Sequence, residues 1–137
     1  MTRRIVVDAS VLVAALMADG RARHALTHTE AFLYVPPRIF EEVEAHAAEI
    51  AGRAGVPEAI VRGLIEELAQ HLDEVPSALI EPWLPEARER VAAAEAEGDE
   101  DYVALAIALD AEVWTYDHDF ERIEGILTIS TKDVLDA

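Results

Sequence analysis

The sequence predicts a three-layer α/β/α domain built around a central parallel sheet. Short apolar runs rich in β-branched residues alternate along the chain with longer segments of helical periodicity, a pattern typical of parallel sheets covered by helices on both faces. The first run, residues 5–7, shows no polar alternation, as expected for a strand buried on both faces. Two of the runs are followed directly by an aspartate, at Asp8 and Asp117.

The first half of the chain carries recognisable boundaries between elements. Ser10 is a suitable N-cap for the helix after the first strand, and Pro36 ends the second strand. Gly52 ends a later helix, and Pro57 suits the first turn of the next one, which we expect to pair with its predecessor. We therefore predict strands at residues 5–7 and 32–35, and helices at residues 10–18, 21–27, 38–51 and from 57 through 72.

The second half predicts a surface helix followed by a buried one. The first of these helices is rich in alanine and charged residues and is closed by Gly98, whereas the next begins with three acids and is then apolar all round. We predict a brief edge strand at residues 74–76, helices at 85–97 and 99–109, a strand at 113–116, a short helix to 123, a strand at 126–129 and a final helical turn capped by Thr131.

Composition limits the class of protein. The chain has 137 residues, of which 52% are hydrophobic and 28% charged, so we expect one globular domain spanning residues 1–137. The absence of cysteine excludes disulfides, thiolate zinc sites, iron–sulfur clusters and a cysteine nucleophile, and makes the cytoplasm the expected location. Asp8 divides the N-terminal apolar stretch into pieces too short for a signal core or a membrane span. We therefore expect a soluble protein.

Acidic side chains from separate segments are predicted to meet at one edge of the sheet. Ligands of parallel sheets bind outside the carboxyl ends of the strands, where Asp8 and Asp117 lie. In the helix after Pro37, Glu42 lies about 60° from the buried Ile39 position, while Glu41 lies about 200° away. Asp99 precedes Val103 by one helical turn and so shares its inward face, whereas Asp101 points roughly opposite.

Carboxylates that converge in this way repel one another by several kcal/mol per pair at separations of about 4 Å. A divalent cation such as Mg²⁺ or Mn²⁺ would resolve the repulsion, because both ions take oxygen ligands. The cation would also supply positive charge to a chain whose formal net charge is −17. The five histidines show no spacing of the zinc-ligand type.

Simpler roles remain open for the same residues. Asp8, Glu42, Asp99 and Asp117 could each have only a structural role, such as a helix cap. Asp101 and Asp119 could be solvated acids or lie outside the direct ligands of a metal, and Asp119 could instead complete the metal shell. Ser10 and Thr115 could be ordinary capping and strand residues, or could orient Asp8 and Asp117 by hydrogen bonds.

Four motifs in order resemble the PIN domain family. They are VVDASVL at residues 6–12, Pro37 followed by Glu42 and Val43, Asp99 ahead of ALA at 104–106, and WTYDHDF at 114–120. The resemblance spans the whole chain and is strongest to the small prokaryotic PIN proteins that include the toxins of VapBC-type toxin–antitoxin pairs.

The resemblance implies a Mg²⁺- or Mn²⁺-dependent ribonuclease with a parallel-sheet fold. Its acidic cluster would correspond to Asp8, Glu42, Asp99 and Asp117, with Asp119 as a possible fifth ligand and Ser10 and Thr115 in support. A metal-activated water would cleave single-stranded RNA without a covalent enzyme intermediate. The resemblance also implies a homodimer and, for a toxin, a small antitoxin partner.

Two other functions compete with this interpretation. One is a catalytically silent PIN-like module that uses its acidic surface to hold a basic partner. The other is a phosphatase of the haloacid-dehalogenase kind, which needs a second aspartate where this chain has Ser10.

Binding of RNA would need a local source of positive charge. Lys132 is the single lysine of the chain, so we predict a small basic patch or a groove between two subunits. The candidate patch consists of Arg3, Arg4, Arg21, Arg23 and Arg38.

Overall fold

The computed structural model describes residues 3–17 and 20–137, and its centre is a five-stranded parallel sheet. The strands are β1 (Arg4–Val7), β2 (Phe32–Val35), β3 (Asp73–Glu74), β4 (Glu112–Trp114) and β5 (Thr128–Ile129). Their order across the sheet is β3-β2-β1-β4-β5, and every pairing is parallel. The central strand β1 is completely buried over Ile5, Val6 and Val7, which agrees with its unbroken β-branched sequence.

Helices flank this sheet, and the predicted three-layer α/β/α architecture is confirmed. They are α1 (Ala9–Leu16), α2 (Gly20–His28), α3 (Arg38–Ala45), α4 (Ala47–Ala54), α5 (Glu58–Ala69), α6 (Ser77–Ile80), α7 (Leu84–Ala94), α8 (Glu100–Leu109) and α9 (Thr131–Asp136), with 3₁₀ turns at Glu81–Trp83 and His118–Arg122. One group of helices packs around α1, α2 and α5, and another around α8. Within the described residues, no helix combines the length and the apolar character needed to cross a membrane.

Helix α8 is buried, as its all-round apolar sequence predicts. The five residues from Tyr102 to Ala106 are all buried, and the helix contacts β1, β4, α6 and α7. Because α8 begins beside the strands that carry Asp8 and Asp117, its packing fixes where Asp99 lies.

The predicted helix at residues 38–51 is wrong, because two helices occupy this segment. His46 separates α3 from α4, with backbone angles of φ −99° and ψ 1°. The break allows α3 to contact α1 while α4 packs on α5. No proline or glycine marks the break, so tertiary packing and not local sequence sets it.

The predicted end of the helix at residues 85–97 is also wrong. Helix α7 stops at Ala94, and Glu95 adopts a left-handed conformation with φ 55°. The Ala96 N–H then donates to the Val91 carbonyl, in the manner of a Schellman ending, and Ala96 is buried. Burial of Ala96 thus ends the helix before Gly98.

Two predicted helix caps belong to neighbouring residues. Asp8, and not Ser10, is the N-cap of α1, and its side chain accepts from the Ser10 N–H. Ser130, and not Thr131, caps α9 by accepting from the Asp133 N–H at 3.1 Å. Of the helix predicted at residues 10–18, Ala18 lies outside the described residues.

Removal of the Ile5 side chain tests the central position of β1. Ile5→Ala is expected to lower the free energy of unfolding by about 2–5 kcal/mol, because it leaves a cavity between fully packed neighbours. Ile60→Ala is the matched control, since Ile60 lies on α5 and is 53% exposed, and it should change the value by less than about 0.5 kcal/mol. Urea unfolding measures both, and equal losses would contradict the burial of β1.

Candidate functional site

The carboxyl ends of β1 and β4 lie side by side and bring two sequence-distant segments together. Val7 pairs with Trp114 in the parallel register. One residue further along, the Asp8 N–H donates to the Trp114 carbonyl at 3.0 Å. The chain leaving β4 therefore runs past Asp8, and carries Thr115 and Asp117 to the same edge of the sheet.

Asp8 is buried and held by two hydroxyl groups. The Ser10 hydroxyl donates to Asp8 Oδ2 at 2.6 Å, and the Thr115 hydroxyl donates to the same oxygen at 2.8 Å. The side chain is 5% exposed, so these charge-assisted bonds replace much of the hydration that the carboxylate would have in water. Among the described residues, none donates to Oδ1, which leaves that oxygen available.

The same hydroxyls also accept bonds from the backbone that follows β4. The Tyr116 N–H donates to Ser10 Oγ at 3.0 Å, and the Asp117 N–H donates to Thr115 Oγ1 at 2.9 Å. Each hydroxyl thus joins Asp8 to the segment that carries Asp117. These bonds fix the relative position of the two strand ends.

A group of three carboxylates lies at this edge. One ligating oxygen from each of Asp99, Asp117 and Asp119 falls within 4.8 Å of the others. Asp117 Oδ1 accepts from the Asp119 N–H at 2.9 Å, and Arg122 donates to Asp119 Oδ1 at 2.9 Å. Asp99 is the N-cap residue of α8 but makes no capping bond with its side chain. A capping role therefore does not account for Asp99.

Burial and the surrounding carboxylates raise the pKa of Asp99. Burial is the largest cause, followed by the charges of Asp8, Asp117 and Asp119, and together they bring the pKa of the Asp99 carboxyl from 3.8 to about 7. The charge of Asp8, which lies outside the group of three, raises this pKa more than the charge of Asp117 or Asp119 does. The site is therefore short of positive charge.

Glu42 lies beside Asp8 but outside the group of three. It is half-buried on α3, while Glu41 and Glu44 are exposed, as helical periodicity predicts. Burial raises the pKa of Glu42, the Arg38 guanidinium lowers it, and the charges of Asp8 and Asp101 raise it further. Arg38 Nε lies 3.0 Å from Glu42 Oε1 as an ion pair.

Two buried oxygens near Asp8 have no hydrogen-bond partner among the described residues. They are Glu42 Oε1, whose ion pair with Arg38 lacks hydrogen-bond geometry, and the Tyr102 hydroxyl. Burial raises the pKa of the Tyr102 hydroxyl, and the neighbouring charges of Glu42 and Asp8 raise it further. Buried oxygens without a well-formed hydrogen bond are uncommon, and Glu42 Oε1 is balanced here by its ion pair with Arg38 and by the neighbouring Tyr102 hydroxyl.

The predicted site residues therefore occupy one region. Asp8 acts electrostatically on both Asp99 and Glu42 and so links the three-carboxylate group to α3. Sequence reasoning placed Asp101 on the opposite side, yet its charge reaches Glu42. Helical angles within α8 alone do not indicate this, because the effect depends on where the fold places Glu42 relative to α8.

Comparison with known proteins identifies the family. The family model described as PIN domain matches residues 6–136. The chain belongs to the PIN domain family. A comparison with curated proteins found no match.

Solved structures share the PIN fold over nearly the whole chain. VapBC2 from Rickettsia felis, bound to a DNA fragment from its promoter, is 14% identical with a TM-score of 0.71 and covers 93% of this chain and 98% of its own. PAE2754 from Pyrobaculum aerophilum is 14% identical with a TM-score of 0.70, and the match covers 98% of this chain and 88% of PAE2754. DNA-bound VapBC from Salmonella typhimurium is 15% identical with a TM-score of 0.71, and the match covers 96% of this chain and 99% of the matched VapBC chain. These similarities establish the fold.

The raised pKa of Asp99 predicts a pH-dependent stability in the metal-free protein. Between about pH 4 and pH 7 the unfolded chain has lost the Asp99 proton while the folded chain keeps it. The contribution of Asp99 is therefore fully present below about pH 4 and falls as the pH rises to about 7. Asp99→Asn cannot titrate, so its free energy of unfolding relative to wild type should increase across this window.

Urea unfolding in chelator at a series of pH values measures this difference. Asp110→Asn makes the same chemical change at the other end of α8, on an exposed residue, and serves as the control. A difference between Asp99→Asn and wild type that stays constant from about pH 4 to pH 7 would contradict the prediction.

Proposed function

We propose that this PIN domain is a divalent-metal-dependent endoribonuclease that hydrolyses phosphodiester bonds in single-stranded RNA. The observation that carries the proposal is the convergence of the Asp99, Asp117 and Asp119 carboxylates, with Asp8 close enough to raise the pKa of Asp99. Clustered acids of this kind repel each other unless a cation binds between them. The family membership supports the same function.

The donor set fits Mg²⁺ or Mn²⁺. Asp99, Asp117 and Asp119 would hold the ion, and Asp8 and Glu42, which lie outside that group, would complete its shell. Carboxylate oxygens are the ligands that these hard cations prefer. When bound, such an ion lowers the pKa of a coordinated water and offsets charge that develops on the phosphate.

Ser10 and Thr115 act as positioning residues in this proposal. Their hydroxyl protons point to Asp8 Oδ2 and hold that carboxylate in one orientation. Asp99 exchanges its proton near neutral pH, because its pKa is about 7 in the absence of metal. Binding of a cation would displace that proton, so affinity for the metal should rise with pH.

We also propose partners and a location for the protein. Two of the structural neighbours are VapBC assemblies, which favours a toxin of a toxin–antitoxin pair with a small antitoxin as partner. A homodimer in the cytoplasm completes the proposal. Light scattering of the protein alone tests the dimer, and co-expression with the product of an adjacent small gene tests the antitoxin.

Cleavage of labelled single-stranded RNA tests the nuclease. Wild-type protein with Mn²⁺ should cut the RNA, and chelator should abolish cutting. Asp8→Asn and Asp117→Asn should each reduce the initial rate by at least about 100-fold, because each removes a ligand charge. Asp110→Asn removes an exposed acid away from the cluster and should retain the wild-type rate.

Two results would oppose the nuclease. Equal cutting by wild type and both site variants would assign the activity to a contaminant. No cutting by wild-type protein that still binds Mn²⁺ would favour the catalytically silent interaction module.

Thermal unfolding tests the metal site without reference to activity. At a free Mn²⁺ concentration of about 100 times the dissociation constant, binding should stabilise the fold by about 2.7 kcal/mol. Asp99→Asn and Asp117→Asn should lose most of the rise in melting temperature, and Asp110→Asn should keep it. An equal rise in all four proteins would contradict a site at this cluster.

A further inference from the structure

A cavity of about 760 Å³ lies between α2, α9 and the end of β4. Arg21 and His24 line it from α2, Lys132 and Leu135 line it from α9, and Tyr116 lines it from the segment after β4. Its volume falls within the range of about 300–1,000 Å³ that is common for small-ligand pockets.

The cavity adjoins the acidic site. A smaller cavity of about 300 Å³ is lined by Thr115, Tyr116 and Asp117, and it shares Tyr116, Ser130 and Thr131 with the larger one. Tyr116 therefore lines both cavities, and Asp117 lines the smaller one. A polymer that occupies both cavities would reach Asp117.

The Tyr116 ring is exposed and held in place. It is 42% exposed, its hydroxyl is hydrogen-bonded to Thr131 Oγ1 at 2.5 Å, and its backbone N–H donates to Ser10. The indole N–H of buried Trp114 donates a hydrogen bond to Thr131 Oγ1 at 3.0 Å, which holds Thr131 in place. An exposed aromatic ring with restrained orientation is suited to stacking on a nucleobase.

The cavity also gathers basic side chains in a strongly acidic chain. At least six of the eleven lysine and arginine residues form ion pairs with carboxylates. Exposed Lys132 forms no ion pair with any residue that the structure describes, and Arg21 and His24 face the same space. These groups are suited to contact a phosphate.

The basic patch expected from the sequence is divided by the fold. Arg3 and Arg4 lie at the amino end of β1, and Arg3 pairs with Glu112. Arg38 pairs with Glu42, and Arg23 donates to the Ala15 carbonyl at 2.9 Å. Of that set, Arg21 lines the cavity.

We propose that this cavity binds one nucleotide of single-stranded RNA next to the bond to be cut. Its base stacks on Tyr116, and its phosphate contacts Lys132 with support from Arg21. The inference rests on the proposed nuclease function and adds to it a specific binding position for the substrate.

Equilibrium binding of a fluorescent single-stranded oligoribonucleotide, measured by anisotropy at low ionic strength in chelator, tests the position without cleavage. Tyr116→Ala should weaken binding by about 5- to 150-fold, the range found for loss of one stacked base, whereas Tyr116→Phe keeps the ring, loses only the bond to Thr131, and should weaken binding much less. Phe32→Ala is the control for loss of an exposed aromatic ring. Phe32 is 50% exposed and lies at the amino end of β2, away from the carboxyl ends where the acidic site lies.

Salt dependence tests the phosphate contact. Lys132→Glu should weaken binding and reduce the slope of log affinity against log salt concentration by about 0.7, the value for one phosphate contact on a single strand. Arg88→Glu is the matched control, since it makes the same charge change on an exposed residue of α7. It should leave the slope closer to that of wild type.

The outcomes separate this inference from the nuclease proposal. If cleavage requires Asp8 and Asp117 while Tyr116→Ala and Lys132→Glu bind no more weakly than their controls, the cavity assignment is overturned and the nuclease stands. If the cavity variants selectively lose RNA binding but wild type does not cleave, the binding position is supported and the nuclease proposal fails.

Discussion

Repulsion among carboxylates at the end of a parallel sheet is the constraint on which the site depends. The fold delivers acids from β1, α3, α8 and the segment after β4 to one region, and burial strengthens their mutual effect. Ser10 and Thr115 make the arrangement tolerable at Asp8, where water is largely excluded. The three-carboxylate group has no equivalent pair of hydroxyls in the hydrogen bonds described above, and burial together with the neighbouring charges raises the pKa of Asp99.

The parts of the fold that depend on chain-wide patterning could be predicted from the sequence. An uninterrupted β-branched run predicted the buried strand β1, and an all-round apolar helix predicted the buried α8. The meeting of Asp8 and Asp117 followed from the rule that parallel strands present their carboxyl ends at one edge. Helical periodicity likewise separated half-buried Glu42 from its exposed neighbours. Each of these inferences needed only the local geometry of one element and a general rule of packing.

The remaining features depend on contacts between elements that periodicity does not encode. The break at His46 allows α3 to contact α1 as well as α5 while α4 packs on α5. The early end of α7 follows the burial of Ala96. The influence of Asp101 on Glu42 arises because the fold brings residues of α3 and α8 within electrostatic reach, which the helical angles of one element do not include. The RNA-binding patch expected from the sequence grouped arginines without knowledge of which ones already had carboxylate partners.

Asp99 is an N-cap residue without a side-chain capping bond, and its charge favours the proposed metal site at the expense of stability. A neutral residue there would remove like-charge repulsion from the start of α8 without sacrificing a capping bond, since the aspartate makes none. Mutation followed by screening for thermal resistance alone would therefore favour loss of this acid, in line with the general trade-off between robust folds and strained sites. Retention of Asp99 in a descendant of this chain would point to selection for the proposed metal site, because burial and the neighbouring charges oppose its ionised form in the folded protein.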